Sequence, residues 1–105
     1  MLIVIEGVVT PDKQKFRPSD WAEMLLEGVG LAHFGPHHTI RYAHGVEPAT
    51  ADGHSSIIMD EALEQTHPEA FSEILRFAHE NHLHAFMKEG IISHATEPSW
   101  SAPRR

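Results

Sequence analysis

The run KFRPSDWAEMLL sets Arg17 directly before a proline and follows it with a hydroxyl, an acid and a tryptophan, Ser19, Asp20 and Trp21. Two kinds of chemistry suit that grouping. In the first, Arg17 and the free N–H groups at the start of a helix hold an anion, with Trp21 or Tyr42 as an adjoining flat wall. A phosphate, a carboxylate or an acidic peptide fits such a site, although Asp20 puts a negative charge where the ligand would lie. In the second, the run only starts a helix. Pro18 stiffens the entry, Ser19 or Asp20 caps the first turn, Trp21 buries a large apolar area, and Arg17 pairs with Asp20 or Glu23. Arg41 and Tyr42 reinforce either reading. The candidate ligand or partner contacts are therefore Arg17, Asp20, Trp21, Arg41 and Tyr42.

The segment His79-x-x-His82-x-His84 raises a different chemistry. Neutral imidazoles suit zinc, nickel or copper, and the spacing permits a site of His79, His82 and His84 for Zn or Ni. Counted around a helix from Phe71, His82 follows the apolar stripe and His79 lies on its flank, while a turn near Asn81 sends His84 elsewhere. The chain has no cysteine, so a closed zinc site needs four His or carboxylate ligands from distant parts. Surface and capping histidines are the commoner explanation, and His82 in a last turn also answers the helix dipole. His37 and His38 are adjacent and diverge in a strand. Glu6, Asp60 and Glu61 form an acid–base pair only if strand register brings them together, and Asp60 and Glu61 more simply end a strand. No phosphate-binding glycine loop, nucleophile elbow or zinc-protease helix occurs.

Charge narrows the partners further. Eight Lys and Arg among fifteen acids give a net charge of −7, which opposes a phosphate-tracking surface, and no run resembles an RNA-binding signature. With all ten histidines protonated the charge becomes −7 + 10 = +3, so solubility and self-association should respond to pH near the histidine range. No stretch approaches the ~20 apolar residues of a membrane span, and LIVI is too short for a signal-peptide core, so a cytoplasmic protein is expected.

The elements that must position these residues follow from periodicity. At 105 residues the chain holds one hydrophobic core. Leu2 to Val9 reads as a first strand that stops at Thr10-Pro11-Asp12-Lys13. Trp21, Met24, Leu25 and Gly28 recur at helical spacing, predicting helix one over about 19–27, and the glycine-rich EGVGLAHFGPHH reads as a loop. TIRYAHGVEPA and HSSIIMD form a hairpin across Asp52-Gly53, with Pro48 confining its first strand to an edge or a bulge. Thr66 and Glu69 suggest a capping box for helix two, about 67–81, whose stripe is Phe71, Ile74, Leu75 and Ala78, with Asn81 as a left-handed terminator. HLHAFMK gives a last strand with Leu83, Ala85 and Met87 on one face, and Ile91 and Ile92 extend or pack beside it. The order β-α-β-β-α-β predicts an α+β, ferredoxin-like two-layer sandwich, with two helices on one face of an antiparallel sheet. Residues 1–92 form the domain and 93–105 a polar tail.

FRPSDWAE (Phe16 to Glu23), His33-Phe34-Gly35, Tyr42, Val46-x-Pro48, Asp52-Gly53 and AFSEILRFAHENHL (Ala70 to Leu83) together resemble a family of small stand-alone bacterial proteins classed as a domain of unknown function. The resemblance covers roughly residues 2 to 87. It implies a small α+β domain of the bacterial cytoplasm and carries no activity with it. The histidine load and the longer Glu27-to-His33 link depart from the family pattern, so histidine chemistry does not follow from membership.

The sequence therefore reads as a small binding or regulatory module, expected as a homodimer through its open sheet face or edge. An anionic small molecule or a protein is its partner, and histidine-based metal binding is the alternative.

Overall fold

The computed structural model describes residues 1–35, 39–51 and 53–90. His37, His38, Asp52, Ile91, Ile92 and the expected tail lie outside the described residues. Among the described residues, seven strands and three helices follow in the order β1 (Leu2–Val9), β2 (Gln14–Lys15), α1 (Trp21–Gly28), β3 (Ala32–Phe34), β4 (Ile40–Tyr42), β5 (Val46–Ala51), β6 (His54–Asp60), α2 (Leu63–Thr66), α3 (Pro68–Glu80) and β7 (Leu83–Lys88).

The main sheet runs β7-β1-β6-β5 with every neighbouring pair antiparallel, and the short β2 continues alongside the end of β1. Without β2 and the β3–β4 hairpin, this is the ferredoxin-like order. β1 is central because LIVIEGVV is apolar on both parities, as a strand paired on both sides and covered on both faces must be. Its odd residues turn toward the helices. Ile5 joins the main core with Ile57 and Met59 of β6, Trp21 and Leu26 of α1, Leu63 of α2, and Phe71, Ile74 and Ala78 of α3. Its even residues Leu2, Val4 and Val8 are also buried, outside that cluster on the opposite face.

Two expected elements divide differently. The glycine-rich loop contains β3, which pairs with β4 in a separate two-stranded sheet through Ala32–Tyr42, His33–Arg41 and Phe34–Ile40. The expected strand TIRYAHGVEPA is broken at Gly45, whose φ of +94° suits glycine and turns the chain from β4 into β5. The Gly45 carbonyl then accepts the Asp60 N–H at 2.8 Å, which seats β5 against β6. Pro48 lies on β5, which among the described residues pairs only with β6, so the proline sits on an edge strand as its missing donor requires.

The helix ends also correct the sequence reading. Asp20 occupies the N-cap of α1 but makes no side-chain cap bond; the Trp21 N–H donates to the Pro18 carbonyl at 3.1 Å instead. The capping box at Thr66 and Glu69 does not form, because His67 is the N-cap of α3 and the Thr66 hydroxyl donates back to the Leu63 carbonyl at 3.5 Å. At the far end Asn81 keeps a negative φ and donates its side-chain amide to the Phe77 carbonyl at 2.9 Å. His82 takes the left-handed conformation, φ +57°, that Asn81 was expected to supply.

Candidate functional site

The opening run is built around Trp21. Its side chain is 2% exposed, stacks parallel on Phe77 at 5.9 Å and meets Phe16 edge-on at 5.5 Å. Gly7 of β1 makes room for it: a Cβ there would stand 2.6 Å from the indole Nε1 and 2.3 Å from the Ser55 carbonyl. Ser55 in turn donates its hydroxyl to the Ser19 carbonyl at 2.5 Å, fixing the approach of α1 to β6. Trp21 is therefore a core residue and offers no flat wall to a ligand.

The other candidates separate. Arg17 and Asp20 are exposed, and Arg17 forms no ion pair among the described residues, so its expected pairing with Asp20 or Glu23 is not made. Arg41 is exposed on β4, and Tyr42 is half-buried against the core. Burial, with the Glu23 carboxylate adding to it, raises the Tyr42 phenol above its ordinary pKa. The groove beside α1, about 170 Å³, is lined by Asp20, Glu23 and Glu27 with Met24, Ala32, His33 and Ile40. Three carboxylates make that flank negative, the wrong sign for an anion at this helix start.

The histidines diverge as well. His79 is exposed on α3, and the chain leaves the helix before His82, so His82 does not follow the apolar stripe. Its carbonyl accepts both the N–H and the hydroxyl of Thr10, at 2.8 and 3.0 Å. His84 stands on β7 with its Nδ1 2.6 Å from Glu6 Oε1. Among the described residues no group of three or more His, Asp or Glu side chains is placed to hold a metal ion, so the expected His79–His82–His84 set is not assembled.

Glu6 does not meet Asp60 or Glu61 either. Register sets Glu6 opposite Ser56 and His84, whereas Asp60 lies at the other end of the sheet opposite Leu2, and Glu61 pairs with the N-terminal ammonium of Met1 at 3.4 Å. What register does assemble is a pocket on the face away from the helices. It has a volume of about 370 Å³ and is lined by Glu6, Val8, Thr10, Lys13, His54 and His84. Sequence reasoning missed His54 and Lys13 there. The available signal was Glu6 itself, a lone carboxylate in an apolar central strand, which needs a polar cross-strand partner.

Residues 1–88 match the family described as "Protein of unknown function (DUF3579)". A solution structure described as the first structural representative of its family is similar, with 33% identity and a TM-score of 0.70, over 90% of this chain and 85% of that one. No curated protein matches. No helix among the described residues is long and apolar enough to cross a membrane.

Proposed function

The chain belongs to the DUF3579 family of proteins of unknown function, and we propose that it is a small binding module that works as a homodimer, joined edge to edge through β7. The carrying observation is the state of that edge. β7 pairs only with β1, so its outer row of N–H and C=O groups has no strand beside it among the described residues.

Its side chains from His84 to Lys88 are exposed, Phe86 at 37% and Met87 at 52%. Phe86 shares a face with Val4, and Met87 shares the opposite face with Ile3. A second copy laid antiparallel along this strand gains apolar contact on both faces of the seam as well as the ladder. The opposite edge, β5, carries Pro48 and lacks one donor of such a ladder. A twofold pairing also satisfies the preference of small chains for isologous dimers.

Sedimentation equilibrium tests the reading. The expected result is a mass twice the 11.8 kDa of one chain, falling to the single mass in Phe86→Glu with an unchanged circular dichroism spectrum. A wild-type chain that stays at the single mass up to its solubility limit overturns it.

A further inference from the structure

We infer that the pocket on the sheet face away from the helices is a binding site for a small organic oxyanion, a phosphate or carboxylate compound, gripped more tightly as the histidines protonate. The inference is independent of the β7 dimer.

Four elements bring ionisable groups to this cavity: β1 supplies Glu6, the turn after it Lys13, β6 His54 and β7 His84. Glu6 is only 12% exposed and is already engaged, because its Oε1 lies 2.6 Å from Nδ1 of His84. With the carboxylate ionised, that contact requires the proton on Nδ1, so the ring is oriented and its Nε2 is the atom left for a ligand. Once the ring is protonated, Nε2 is a donor.

His54 adds a second imidazole whose Nδ1 is buried without a hydrogen-bond partner among the described residues. Lys13, held at φ +57° in the turn, brings an ammonium to the rim. Lys15, opposite Val8, adds another cation to the same face. Against one carboxylate, the lining carries one fixed positive charge and two that appear on protonation. Its formal charge thus moves from zero to +2 as both imidazoles protonate, and only an anion gains from that change. Val8 supplies an apolar wall, and about 370 Å³ suits a small molecule rather than a chain segment.

The test uses inorganic phosphate and the histidine ring protons seen by NMR. Added to the full chain, phosphate should shift the His54 and His84 signals saturably, with affinity about tenfold higher at the acidic end of a range from about pH 5 to 8. Lys13→Gly keeps the left-handed turn and removes the ammonium; it should weaken binding about tenfold. Arg76→Ala, which removes a cation from α3 on the other layer, should leave binding unchanged. Shifts that never saturate overturn the inference. So does an affinity independent of pH, or an equal loss in Lys13→Gly and Arg76→Ala.

Discussion

Gly7→Ala isolates the contact that seats α1 on the sheet. The added methyl carbon would lie 2.3 Å from the Ser55 carbonyl oxygen and 2.6 Å from Trp21 Nε1, each well inside the ~3.5 Å at which carbon contacts become favourable. Neither neighbour yields easily. The Ser55 carbonyl belongs to β6 beside the central strand, and Trp21 is locked between Phe16 and Phe77. Overpacking of this kind costs about 1–3 kcal/mol, and a backbone obstacle places this site at the upper end. For a domain of this size that is a fall in Tm of roughly 10 °C or more, read by far-UV circular dichroism during heating. The Trp21→Leu background separates the two obstacles. Gly7→Ala should cost less there than in wild type, with the carbonyl clash remaining. An unchanged Tm in Gly7→Ala, or an equal loss in both backgrounds, would refute the claim that the indole is packed on Gly7.

Two further outcomes follow from the same structure. Trp21→Ala should cost about 3–5 kcal/mol in urea unfolding, while Arg17→Ala, exposed and without an ion pair among the described residues, should change stability little. Arg17→Ala costing as much as Trp21→Ala would contradict the structural reading of the opening run. Tyr42 is the only tyrosine, so tyrosinate absorbance reports it alone, and its burial, assisted by Glu23, should move the transition above the ordinary value of 10.0. Because the unfolded phenol ionises first, its contribution to stability is intact below that pH and declines as pH rises toward the folded pKa. Glu23→Gln should reduce the shift without abolishing it, since burial is the larger cause; a transition at or below the ordinary value in wild type would contradict the packing.

Legibility followed the scale of the forces. The stripe of α3 and the alternation around Asp52-Gly53 are local patterns repeated several times, and the ferredoxin-like order follows from them. Pro48 announced an edge because a missing donor has one consequence wherever it occurs. The β3–β4 hairpin was hidden because three-residue strands leave too short a pattern, and its glycines argued for a loop. The caps failed for a related reason: backbone carbonyls and Pro68 served the helix starts, leaving Ser19, Asp20 and Thr66 unneeded as caps. The pocket on the face away from the helices was the least legible part. Its members lie at positions 6, 13, 54 and 84, and only the register of β1 against both neighbours brings them together. Glu6 marked the place without naming the partners, whereas the histidine spacing at 79, 82 and 84 suggested a cluster that a left-handed turn disperses.

The central position of β1 also bears on how the chain comes off the ribosome. Its neighbours are β6, which ends at Asp60, and β7, which ends at Lys88. Among the described strands the first made is therefore among the last to be completed, with one edge waiting for β6 and the other for β7. Until then LIVI is an apolar segment with both edges open, and the contacts that close it span much of the chain, a topology that slows folding and prolongs exposure to wrong partners. The Glu6–His84 hydrogen bond joins residues 78 positions apart, and so marks the step at which the sheet finally shuts.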